Sequence, residues 1–217
     1  MRLLVALTFL FISSLGHAAI LVVNVYQPLA GKGPLTASYM QEAQGILREM
    51  GQQATYSVDL AGVYRFNMYF EDNESYGDLY QRLGSSATWA AFTAKISATP
   101  SATQIDNLIL NEVKPGPAAQ PGMVAEVTTW SVDLPSRNTF MQSALGAVPH
   151  HERQGAAGVS IWADAFNVYY ITHHQNMRAL GRFRDTPNPE FQRYFQEATG
   201  SSPGATMERQ TIIVTGR

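Results

Sequence analysis

The sequence predicts an α+β protein: two copies of a β-α-β-β-α-β unit in one chain, with two antiparallel sheets packed face to face as an α+β barrel. Three observations predict it. The chain matches its own pattern at a shift of 102 residues, in register through six successive elements. In both copies the apolar period switches between two and 3.6 residues in the same order. A Pro/Gly-rich stretch at 115–122, which suits neither helix nor central strand, separates repeat 1 (19–114) from repeat 2 (123–217).

The elements follow in order. Ile20-Leu-Val-Val-Asn-Val-Tyr26 is a first strand and lies over Gly122-Met-Val-Ala-Glu-Val-Thr128. Tyr39, Ala43, Ile46, Leu47 and Met50 have helical spacing, with Pro34 near the start and Gly51 as a stop. Helix positions Tyr39, Ala43 and Ile46 fall on Met141, Leu145 and Val148. Hairpin turns are expected at Ala61-Gly62 and Ala163-Asp164. Tyr64, Phe66, Met68 and Phe70 alternate with Arg65, Asn67 and Tyr69, as a strand with two different faces requires. Trp89 and Phe92 fall on Phe191 and Tyr194 in second helices predicted from Ser75 to Lys95 and from Gln175 to Ala198. Tyr76, Tyr80, Trp89 and Phe92 read as a core-facing stripe, and Asp72 and Glu74 as residues suited to a helix start. Pro100-Ser-Ala-Thr103 and Pro203-Gly-Ala-Thr206 each precede a final apolar strand.

Two helices cover only one face of a four-stranded sheet, so the other face needs a partner, and the second copy supplies it. With these elements the chain resembles the dimeric α+β barrel superfamily of ferredoxin-like proteins. That group includes antibiotic-biosynthesis-type monooxygenases, NIPSNAP-like proteins and chlorite-dismutase-like haem proteins. The residues that carry the resemblance are Ile20–Tyr26, and Phe70-Glu-Asp-Asn-Glu-Ser-Tyr76 leading into the Trp89/Phe92 helix. It extends over nearly the whole mature chain and implies the fold more strongly than any activity.

An address is legible at the start. Arg2, an apolar run from Leu3 to Leu15, and Gly16-His17-Ala18 have the form of a signal peptide over residues 1–18, cut after Ala18. The expected location is the periplasm or the exterior. The chain has no cysteine, which excludes disulfides, lipidation at the cut and thiolate chemistry. A formal charge of −2 and the lack of basic runs with interleaved aromatics exclude nucleic acid as an expected partner. No segment after the leader is expected to cross a membrane.

The barrel interior is the expected chamber for a small apolar or aromatic molecule, since such sites are apolar with a few polar groups. With the more apolar face of each third strand against its helices, Arg65, Asn67 and Tyr69 point inward, as do Asn167, Tyr169 and, at the strand end, His173. Asn24 and Tyr26 on the first strand, and Glu126 and Trp130 on its counterpart, are placed with them, and Arg65 is expected opposite Glu126. The resemblance implies that Asn24 positions substrate or oxygen in a cofactor-free oxygenation.

Other chemistry finds less support. His150-His151 and His173-His174 read as solvated pairs, because adjacent residues diverge in direction and zinc needs three or four converging ligands. The haem-binding relatives carry an axial histidine on a helix. The second helices predicted here contain none, so neither cofactor nor metal is expected. No Gly-x-Ser-x-Gly elbow orients a serine against a histidine. A non-catalytic exported module that docks through strand edges or helices is the alternative.

Overall fold

A computed structural model describes residues 19–201 and 203–216. The predicted leader, residues 1–18, lies outside them. The described residues form eight strands and six helices. Repeat 1 contains β1 (Ile20–Pro28), α1 (Gly33–Glu49), β2 (Ala54–Asp59), β3 (Tyr64–Phe70), α2 (Asn73–Ser85), α3 (Ala87–Ala98) and β4 (Ala102–Lys114). Repeat 2 contains β5 (Val124–Val132), α4 (Arg137–Gln154), β6 (Gly158–Ala163), β7 (Asn167–His174), α5 (Met177–Asp185), α6 (Pro189–Ser201) and β8 (Ala205–Thr215).

Local chemistry sets the boundaries. Pro34 stands in the first turn of α1, and Gly51 just beyond it takes φ +74°, where a side chain would be strained. Asp72 caps α2 by accepting from Ser75 N at 2.8 Å, and Ser75 Oγ answers at Asp72 N. The predicted long second helix is two helices in each repeat. In repeat 1 the break is Ser86, which leaves helical geometry and caps α3 by accepting from Trp89 N at 3.1 Å. In repeat 2 it is Thr186-Pro-Asn-Pro189: prolines lack the N–H that would continue α5, and Asn188 accepts from Phe191 N at 2.9 Å to start α6.

The eight strands close into a barrel in the order β1-β3-β2-β8-β5-β7-β6-β4. Each repeat supplies four neighbouring strands, and the two sheets meet edge to edge rather than only face to face. β2 joins β8 through Ser57/Thr215, Val58/Val214 and Asp59/Ile213. β4 joins β6 through Asn111/Ala163 and Glu112/Trp162. This explains why the last strand of each repeat is long. β4 pairs with β1 over Ala102–Asn111 and then reaches β6; β8 pairs with β5 up to Val214 and overlaps β2 at its end. Closure removes four sheet edges that would otherwise display unpaired N–H and C=O groups.

The core has four parts, the smallest being Val124 with Leu180 and Phe183 of α5. In repeat 1, Ile20, Val22, Phe66, Met68 and Phe70 pack beneath Tyr39, Leu47, Leu79 and Phe92 of the helices. In repeat 2, Val132, Val159, Ile161 and Val168 pack beneath Phe140, Ala144 and Val148. Inside the barrel, Leu21, Val23, Val25, Leu110, Trp162 and Tyr169 form a belt. Leu47 and Leu79 are wholly buried, each contributing about 1.5–3 kcal/mol.

Candidate functional site

Six of the ten expected lumen residues lie on the lumen face: Arg65, Asn67, Tyr69, Asn167, Tyr169 and His173. Their bonds differ from expectation. Arg65 pairs with Asp59 of its own hairpin at 3.1 Å, not with Glu126. Asn167 and Tyr169 likewise donate to Asp164 at the next hairpin, the latter at 3.1 Å. Asn67 donates to Thr55 Oγ1 at 3.3 Å, and Tyr69 meets the Trp162 ring at 6.4 Å. The other four face the helices. Asn24 opposes Phe66 and Tyr26 opposes Tyr64, so both share the helix-packed side of β3. Glu126 opposes Thr172 and Trp130 opposes Val168 on β7. The error has a physical source: both faces of β1 are buried and apolar, so alternation there does not say which face is which.

The helix-covered side of repeat 2 holds a pocket of about 220 Å³. Trp130, Phe140, Phe183, Phe191, Tyr194 and Phe195 supply most of its wall, and Ala144, Ala147, Ala198 and Ala205 leave the space. Phe140, Ala144, Ala147 and His151 recur at intervals of four, three and four, one stripe of α4 turned onto the sheet. His151 therefore sits inside an aromatic cage. Its ring centroid lies 4.2 Å from that of Phe191 and 5.7 Å from that of Phe183, and its Nδ1 is 2.8 Å from Tyr170 Oη. Nε2 has no hydrogen-bond partner among the described residues. The expected solvated pair is thus split: His150 stacks on Tyr194 at 5.0 Å, and His151 is a pocket residue.

Burial, with smaller contributions from His150 and His174, pushes the His151 imidazole down to about 4, so it is neutral at pH 7. Burial raises the Tyr170 hydroxyl, which stays protonated. The buried carboxylate of Glu126 is held by the Arg184 guanidinium, with Nε 3.0 Å from Oε1. The pocket is accordingly apolar, with one neutral imidazole, the phenols of Tyr170 and Tyr194 and a compensated ion pair: an environment for an uncharged aromatic molecule. His174 is also buried, its Nε2 3.0 Å from Thr172 Oγ1, and is not solvated as expected.

Repeat 1 has the equivalent chamber, about 740 Å³, lined by Asn24, Tyr26, Tyr39, Tyr80, Trp89 and Phe92. Asn24 Oδ1 accepts from Asn107 Nδ2 at 2.7 Å and Gln104 Nε2 at 3.2 Å. The pocket-facing residues Thr36, Met40 and Ala43 of α1 match Phe140, Ala144 and Ala147 of α4, so the buried Leu47 stands where repeat 2 has His151 and no imidazole enters this chamber. Tyr80, expected in the core stripe, is half exposed at 47%. A third space of about 640 Å³ lies in the barrel beneath the 115–122 linker, where Ser160 Oγ is 2.8 Å from His173 Nε2. Among the described residues no three His, Asp or Glu side chains converge as metal ligands.

The fold and these sheet-facing pockets define a ferredoxin-like α+β barrel with both halves in one chain. Solved proteins share it. A candidate monooxygenase from Lactobacillus acidophilus is 14% identical, with a TM-score of 0.66 over 91% of this chain and 94% of that one. An anthrone oxidase-like protein is 11% identical, with a TM-score of 0.60 over 92% of each chain. The chlorite dismutase of Candidatus Nitrospira defluvii is 8% identical, with a TM-score of 0.53 over 92% and 91%. No family model and no curated protein matches the chain.

Proposed function

We propose that this protein is exported and binds a small, uncharged, single-ring aromatic molecule, a phenol, in the helix-covered pocket of repeat 2. The observation that carries the reading is a neutral imidazole, His151, with a free Nε2 inside an aromatic cage. Size supports a single ring. An apolar cavity of about 150 Å³ takes up benzene, and this pocket is about 220 Å³. His151 Nε2 hydrogen-bonds the phenolic hydroxyl, as acceptor or donor according to the tautomer set at Nδ1 by Tyr170, while Trp130, Phe191 and Phe195 offer ring edges and faces. Export rests on the leader-like residues 1–18. No helix among the described residues is long and apolar enough to cross a membrane.

The likeness to monooxygenases favours a second reading, cofactor-free oxygenation. There the phenol would lose its proton and reduce O₂ directly, phenol plus O₂ giving quinone plus water. Basicity weighs against it. Burial holds the His151 imidazole well below its ordinary range, which makes it a weak general base toward a phenol. Binding is the better-supported function.

An oxygen electrode and a calorimeter separate the two. Titrating 4-methylphenol into the purified protein should release or absorb heat to a one-to-one end point without O₂ uptake. O₂ consumption that disappears in His151→Phe establishes the oxygenase reading. Absence of any binding at millimolar phenol removes both.

A further inference from the structure

We propose that the chamber inside the barrel is a second binding site, specific for a small amine bearing an apolar group. It stands independently of the phenol pocket, on different residues and on the opposite face of the sheet. The chamber is about 640 Å³ and opens where β4 leaves the barrel and the interdomain linker crosses its mouth. Ser57 belongs to its wall, 3% exposed, with its Oγ enclosed and without a hydrogen-bond partner. Buried hydroxyls of this kind are normally paired, so this enclosed orphan leaves a hydrogen-bonding group for a ligand atom that enters beside it.

Charge decides the ligand class. Glu112 lines the chamber, is partly buried, and has neither ion-pair nor hydrogen-bond partner among the described residues. Burial raises its carboxyl. The chamber's cation, Arg82, is turned to the Met50 carbonyl, with Nη1 at 2.6 Å. His173, pushed down to about 4 by burial, is neutral. Two carboxylates, Glu71 and Glu112, and one cation, Arg82, thus line the chamber, a net negative balance that disfavours anions and favours an ammonium. Opposite Glu112 on the neighbouring strand stands Trp162, whose indole suits both a cation and an apolar substituent.

The linker is fitted to this space. A Cβ on Gly116 would meet Ser160 Cβ at 2.7 Å and His173 Nε2 at 3.0 Å. The segment therefore rests directly on the Ser160–His173 pair and forms the chamber's roof.

The test uses benzylamine, with benzoate as the control of opposite charge, titrated calorimetrically into the full chain. Benzylamine should bind one-to-one and benzoate should not. Glu112→Gln, which keeps size and shape, should weaken benzylamine about tenfold or more. Ser57→Ala should weaken it severalfold without lowering the urea midpoint, because the hydroxyl it removes has no partner to lose. Ala147→Leu, which fills the phenol pocket, should leave benzylamine binding intact. No benzylamine binding at millimolar concentration overturns the assignment, as do unchanged affinity in Glu112→Gln and Ser57→Ala, or loss of binding in Ala147→Leu.

Discussion

His151 on α4 and Tyr170 on β7 are hydrogen-bonded at 2.8 Å with their rings edge to face, centroids 5.3 Å apart. The pair links the helix layer to the sheet at the base of the phenol pocket. It also fixes the ring, so that one nitrogen is satisfied by the protein and the other is left for a guest.

This burial makes stability depend on pH. His151 and His173 both lie near 4 in the folded protein, against an ordinary value near 6.5. The unfolded chain therefore binds more protons between these values. The stabilisation is complete above about pH 6.5, falls as pH drops toward 4, and is gone below it. Each histidine accounts for up to about 3 kcal/mol. Urea midpoints at pH 7 and pH 4.5 should differ strongly in the wild type and less in His151→Phe. Equal pH dependence in the two would show that His151 is not held neutral by burial.

Arg65 is a structural residue. Its guanidinium and the Asp59 carboxylate are 14% and 9% exposed, and Asp59 Oδ1 also accepts from Ala61 N and Val63 N, both at 2.9 Å. Arg65→Met should destabilise by about 3 kcal/mol, the low end for stranding a buried charge, since two backbone donors remain. Phenol binding measured on the folded variant should not change. A midpoint within error of wild type would contradict the buried pair.

The two repeats should not stand alone. Residues 19–114 by themselves would expose the β2 and β4 edges and the apolar lumen face of β1. Size-exclusion chromatography with light scattering should show a dimer or aggregate. A stable monomer would contradict a barrel closed between the repeats.

Gly116 should resist substitution. Gly116→Ala places a methyl against Ser160 and His173 and should cost about 1–3 kcal/mol by overpacking, read as a lower urea midpoint. An unchanged midpoint would mean that the linker does not rest on this pair.

Much of this was legible in residues. The internal repeat gave the element order, and the alternation of Tyr64, Phe66 and Met68 against Arg65, Asn67 and Tyr69 assigned β3 correctly. In β1, Ile20, Leu21, Val22, Val23 and Val25 are all buried, so local pattern does not assign a face to Asn24. Cross-strand register with Phe66 assigns it. His151 is legible too, since it continues the Phe140, Ala144, Ala147 stripe, although the adjacent His150 gives the doublet the look of a solvated pair. The Ser160–His173 bond joins two strands and leaves no mark in local pattern. The edge joints of β4 with β6 and β8 with β2 are equally non-local, and only the unusual length of the final strands hints at them.

The central claim is that a phenol occupies the repeat 2 pocket. The direct measurement is calorimetric titration of 4-methylphenol into wild type and Ala147→Leu, whose larger side chain enters the space beside His151. The account predicts one-to-one binding to the wild type and none to Ala147→Leu, with both proteins folded by circular dichroism. Equal binding to the two would place the phenol elsewhere and contradict the account.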